Sequence, residues 1–107
     1  MAATTQGTRM AFRVIDAMDL PHKGRMIRLR LQAGDPLPIR QIRGGRFLAT
    51  SPSGEVETLQ VMGFATVGGR PSDGRFARTG RLDLLVTLED SDDRPRVNTR
   101  WEVSGPV

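Results

Sequence analysis

The sequence predicts an all-β domain, and three observations carry that expectation. Gly and Pro punctuate the chain throughout, 12 and 7 of them in 107 residues. Between them no stretch offers an apolar stripe at helical spacing over about 11 residues or more. Short segments alternate apolar and polar residues instead, with turn signals about every 8–12 residues, the pattern of a barrel or a sandwich. Closure into a barrel is favoured, because a small open sheet leaves unpaired edges that aggregate.

The elements follow in order. In residues 9–17, Met10, Phe12 and Val14 share one face and Arg9, Arg13 and Ile15 the other. Residues 25–32 alternate most cleanly, with Ile27, Leu29 and Leu31 inward and Arg28, Arg30 and Gln32 outward, as in a half-buried antiparallel strand. In residues 37–43, Ile39 and Ile42 differ in parity, which predicts a bulge or an irregular passage. Residues 46–50 form a short strand with Phe47 beside Leu48. Ser51-Pro52-Ser53-Gly54 is a turn, since Pro presets φ at its second position and Gly accepts a positive φ. Residues 55–64 resume a strand with Leu59 and Val61 on one face, and residues 68–74 (GGRPSDG) read as a loop. In residues 81–88, Leu82, Leu84, Val86 and Leu88 point inward and Asp83 and Thr87 outward. An acidic loop follows with Glu89, Asp90, Asp92, Asp93 and Pro95. Residues 96–103 close the pattern, with Val97, Thr99, Trp101 and Val103 on one side. The expected core is Phe12, Val14, Ile27, Leu29, Leu31, Val61, Leu82, Leu84, Val86 and Trp101.

This length suits one domain. Residues 1–8, polar and without an apolar stretch, read as a flexible tail before a single β-barrel domain over 9–104. No apolar run approaches the roughly 18 residues of a membrane helix, and with no secretory pattern the expected location is the cytoplasm. Cysteine and tyrosine are absent and histidine occurs once, as His22. Disulfides, thiolate zinc sites and a cysteine nucleophile are thereby excluded.

The order of strands and glycines resembles domain 2 of translational GTPases such as elongation factor Tu. The residues that carry the likeness are Gly24-Arg25, the strand through Leu31 to Gly34, and Gly45 before Arg46-Phe47-Leu48. The Ser51-Pro52-Ser53-Gly54-Glu55 turn, Val61-Met62-Gly63-Phe64 and the stretch from Ala77 through Gly80 to Leu84 continue it. The chain departs from the family in having Gly45-Arg46 and Gly80-Arg81 where Gly-Asp is usual, and in a longer stretch over 35–43. The resemblance implies a small closed six-stranded antiparallel barrel of Greek-key type and a habit of contacting RNA or a partner protein. It implies no nucleotide hydrolysis, because the chain contains no GxxxxGK[ST].

Catalysis has little to stand on. His22 follows Asp16 and Asp19 in DAMDLPH, but one imidazole without further nitrogen or sulfur ligands is poor zinc chemistry, and Leu20-Pro21-His22 reads as a turn. The acidic run of 89–93 lacks the Gly and distal Glu of a calcium loop and reads as a solvated turn. No enzyme activity, metal or cofactor is expected.

Arginine is the remaining signal. Lys+Arg number 16 against 12 Asp+Glu, giving a formal charge of +4, and Lys23 is the single lysine. Residues 1–88 carry 13 basic and 7 acidic groups, net +6, and residues 89–107 carry 3 and 5, net −2. Arg28 and Arg30 project from one strand face roughly 7 Å apart, close to the spacing of successive phosphates. Arg40, Arg43 and Arg46 follow, the last two within an RGGR tetrapeptide, and Arg70, Arg75, Arg78 and Arg81 border the glycine-rich loop. Guanidinium groups bind phosphate bidentately, and Phe47 and Phe76, beside Arg46 and Arg75, are candidates to stack on bases. Two readings compete. The domain docks on another protein through a sheet edge or loop, or its arginine-lined outer face (Arg28, Arg30, Arg40, Arg43, Arg46, Arg70, Arg75, Arg78) contacts RNA phosphates. An abundance of Arg over Lys also fits an ordinary surface.

Overall fold

The computed structural model describes residues 9–21, 23–66 and 70–107. The expected tail at 1–8, His22 and Gly68-Gly69 of the expected loop lie outside the described residues. Six strands form: β1 (Met10–Asp19), β2 (Arg25–Ala33), β3 (Arg46–Thr50), β4 (Val56–Phe64), β5 (Arg81–Leu88) and β6 (Glu102–Gly105). Two short helices interrupt them, α1 (Ile39–Ile42) and α2 (Asp73–Thr79). The strands close into a barrel in the order β1-β2-β5-β4-β3-β6, every neighbouring pair antiparallel. Among the described residues no helix is long and apolar enough to cross a membrane.

Alternation does what the sequence requires of it. Phe12, Val14, Ile27, Leu29, Leu59, Val61, Leu84 and Val86 are all buried at 0–1% exposure, and Leu31 and Leu88 pack partly buried against them. Transfer of these side chains from water, worth roughly 1.5–3 kcal/mol for each large one, is what the closed sheet achieves.

Three expectations are corrected. Residues 37–43 form no strand: Ile39 and Ile42 differ in parity because they are one helical turn apart, and α1 buries Ile42. The loop expected over 68–74 gives way to α2 at Asp73. Ser72 caps it by accepting a hydrogen bond from Arg75 N–H at 3.1 Å, one of the donors a helix start leaves unmet. Gly80 ends it at φ 68° in the left-handed region, which costs a residue without Cβ least. Lastly, the strand expected over 96–103 is confined to β6. Val97, Trp101 and Val103 are buried as the parity requires, but Thr99 is exposed, and Arg100 takes φ 73°, which breaks the extended path.

Both barrel ends are filled. At the Arg81 end of β5, α2 inserts Phe76, whose ring lies 6.1 Å from that of Phe12 at an interplanar angle of 22°. Phe12 in turn lies 6.4 Å from Phe47. At the Leu88 end the closing agent is polar. Glu57, inward by alternation with Leu59 and Val61, is 8% exposed. Its carboxylate accepts hydrogen bonds from Arg96 N–H at 2.9 Å and Val97 N–H at 3.0 Å, and Arg25 Nε–H donates to Val97 O at 2.7 Å. One carboxylate therefore replaces the strand pairing that this irregular segment lacks.

Replacing Glu57 by Ala leaves the Val97 N–H buried without an acceptor. Urea unfolding should show a loss of about 1–3 kcal/mol, with Gln less harmful because its amide oxygen still accepts. Wild-type stability in Glu57→Ala would contradict the role given to this carboxylate.

Candidate nucleic-acid interface

The outer face of β1, β2 and β5 carries side chains in rows, because antiparallel register sets directly opposed residues about 5 Å apart. Arg13 opposes Arg30, and Arg30 opposes Arg81. Three arginines thus stand abreast on three neighbouring strands, spanning about 10 Å. All three are exposed, and none of their guanidinium groups has an ion pair or hydrogen bond with the described residues. Glu102 of β6 opposes Arg13 at the end of the row.

The next outward row carries one cation between two carboxylates. Asp16 opposes Arg28, and Arg28 opposes Asp83. Arg28 Nε–H donates to Asp83 Oδ1 at 3.0 Å. This hydrogen bond and the charge of Asp83 raise the Arg28 pKa above its ordinary value. A third row is apolar, with Met18 opposite Met26, Met26 opposite Leu85 and Leu85 opposite Gly63. Met26 is buried, while Met18 and the bulged Met62 are 52% and 60% exposed.

Beside the arginine row, where β5 runs past the end of β4, α2 leaves a cleft of about 540 Å³. Arg28, Arg75, Arg81, Asp83, Ser72 and Phe76 are among its lining residues. Asp73 Oδ1 accepts from Ile39 N–H at 2.7 Å, which ties α2 to α1. The acidic loop after β5 lies at the strand's other end, about 23 Å from Arg81 by strand rise. There Arg46 pairs with Glu89 at 3.0 Å and Lys23 with Asp92 at 2.9 Å. The hydrogen bond and charge of Lys23 hold the Asp92 carboxyl below its usual pKa.

The eight arginines expected to act together are therefore divided. Arg30 belongs to the open row, Arg75 lines the cleft next to it, and Arg78 is exposed on the same helix. Arg28 is committed to Asp83 and Arg46 to Glu89. Arg43 lies over the Phe64 ring at 5.3 Å, a cation–π contact. Arg40 is exposed on α1, and Arg70 is exposed next to the undescribed residues. Arg13 and Arg81 stand outside that set of eight, because their membership of the row depends on register. Phe47 and Phe76 do not stack on anything outside, being 0% and 1% exposed. Closure gives every strand a neighbour on both sides, although β1 pairs with β6 only over Met10–Arg13. Asp16 accepts from Ala17 N–H, and Asp19 pairs with Arg25 and Arg94. Among the described residues no three His, Cys, Asp or Glu side chains are grouped to hold a metal.

No family model matches the chain, and no curated protein or solved structure matches it.

Like charges directly opposed across strands destabilise a sheet. Arg30 has an arginine on each side, so Arg30→Gln should raise stability by about 0.2–1 kcal/mol in urea unfolding at low salt, and by less at high salt. A clear loss of stability would mean that Arg30 contributes to the fold itself.

Proposed function

We propose that this protein is a non-catalytic RNA-binding module that holds phosphates on the arginine row of its barrel. The observation that carries the reading is the row Arg13, Arg30 and Arg81, three adjacent cations that form no ion pair or hydrogen bond with the described residues and outnumber the single carboxylate, Glu102, at the row's end. An arrangement that costs stability when free is relieved when anions enter it, and planar guanidinium groups suit phosphate oxygens. Arg75 and Arg78 extend the basic surface along α2. The acidic loop at the far end of β5 repels a polyanion and so orients its approach. The closed six-stranded antiparallel barrel accords with a Greek-key fold like domain 2 of translational GTPases, whose habit of contacting RNA points the same way. A cytoplasmic place of action goes with such a partner.

A protein-docking reading keeps one specific observation. Met18 and Met62 are exposed at either end of the apolar row and form an adaptable contact surface. Salt separates the two readings, because phosphate contacts release counterions and apolar contacts do not.

RNA affinity measured by fluorescence anisotropy across a salt series should fall steeply with salt. Changing Arg13, Arg30 and Arg81 to Gln should weaken binding and lower the slope of log K against log salt by about 0.7–0.9 for each phosphate no longer neutralised. The variant should keep its circular dichroism, since all three positions are exposed. No affinity at low salt, or an unchanged slope in the variant, would refute the reading.

A further inference from the structure

We infer that the RNA this module takes is double-helical, gripped along its phosphates without reading bases; the inference rests on the RNA-binding reading above. Proteins that hold single strands combine a basic groove with exposed aromatic rings on which successive bases stack. This chain has 4 Phe, 1 Trp and no Tyr, and all five rings are spent on the core. Phe12, Phe47 and Phe76 are 0–1% exposed, and Trp101 and Phe64 are 8% and 9%. Phe76, the one ring at the cleft wall, is stacked on Phe12 and offers no face to a base. Arg43 covers Phe64.

What the outer face does offer is charge at fixed intervals. Arg13, Arg30 and Arg81 are set about 5 Å apart by strand spacing, on strands held in register by the closed sheet. Arginines anchored at fixed positions on a closed sheet suit a ligand whose phosphates are already ordered. A duplex presents such an array, with a higher counterion density than a single strand. A flexible strand must be ordered first, and without aromatic stacking only guanidinium planes remain to offset that cost. The cleft beside the row is lined by Arg28, Arg75 and Arg81 but presents no exposed ring on which a base could stack. Phosphate contacts carry no sequence information, so duplexes of different sequence are equivalent ligands.

The test uses the full chain with a labelled RNA duplex and, separately, one of its component strands chosen to lack self-pairing, in the same low-salt buffer. The duplex should bind about tenfold more tightly, the order of one stacking contact forgone by the single strand. Two duplexes of unrelated sequence should bind alike, and the Arg13→Gln, Arg30→Gln, Arg81→Gln triple variant should lose the preference along with the affinity. A single strand that binds as tightly as the duplex would overturn this inference and leave the RNA reading standing. Polyglutamate competing as well as the duplex at equal charge would also overturn it, in favour of a general polyanion surface. Absence of binding to either RNA form would remove the RNA reading itself.

Discussion

Closure through β6 is the constraint from which the rest follows. This strand has four residues, yet it pairs with β1 on one side and β3 on the other. Without it the ring would become an open sheet with two unpaired edges, a template for aggregation. With it, each strand has a fixed register against two neighbours, and a slip of one residue would turn a whole apolar face to water. Met10, Phe12, Ala49 and Val103, all buried, converge where β6 meets its partners. The interior is thus assembled by the same contacts that close the ring.

A fixed interior fixes the exterior too. The register that sets Val14 opposite Leu29 and Leu29 opposite Leu82 also sets Arg13, Arg30 and Arg81 abreast. The mixed row of Asp16, Arg28 and Asp83 and the apolar row of Met18, Met26 and Leu85 arise in the same way. The first row carries three cations against one carboxylate, Glu102, and holds no ion pair among the described residues, whereas in the second Arg28 is paired with Asp83. That contrast on one face, between strands of one sheet, separates the candidate interface from ordinary surface charge. α2 adds to it indirectly: its Phe76 fills the barrel end, and doing so brings Arg75 to the edge of the same face.

The strands are legible because a half-buried antiparallel strand writes its pattern directly into the sequence, as in Ile27, Leu29 and Leu31 or Leu82, Leu84 and Val86. Helices of four and seven residues are too short to display an apolar stripe. Ile39 with Ile42, and Phe76 four residues after its cap Ser72, each show a single apolar contact that parity alone reads as irregular. The departure over 96–103 has another cause. There the backbone leaves the extended region at Arg100, and a carboxylate from β4 takes the place of a pairing partner. Glu57 itself carries no signal in the sequence, because an inward charge is intelligible only once the N–H groups it serves are located. For the site, the arginines are visible in the sequence but their grouping is not. Sequence proximity suggests Arg40, Arg43 and Arg46, whereas the row joins residues 13, 30 and 81, which only register brings together.

If closure assembles a phosphate-binding row from three separate strands, those three arginines must respond together to a polyanion. The most direct measurement is an NMR titration that follows the arginine Nε–Hε resonances as an RNA duplex is added. Shifts concentrated on Arg13, Arg30 and Arg81, with smaller ones at Arg75 and none at Arg46 or Arg25, are the predicted result. Shifts centred on the methionine row or the acidic loop, with the three row arginines unmoved, would contradict it.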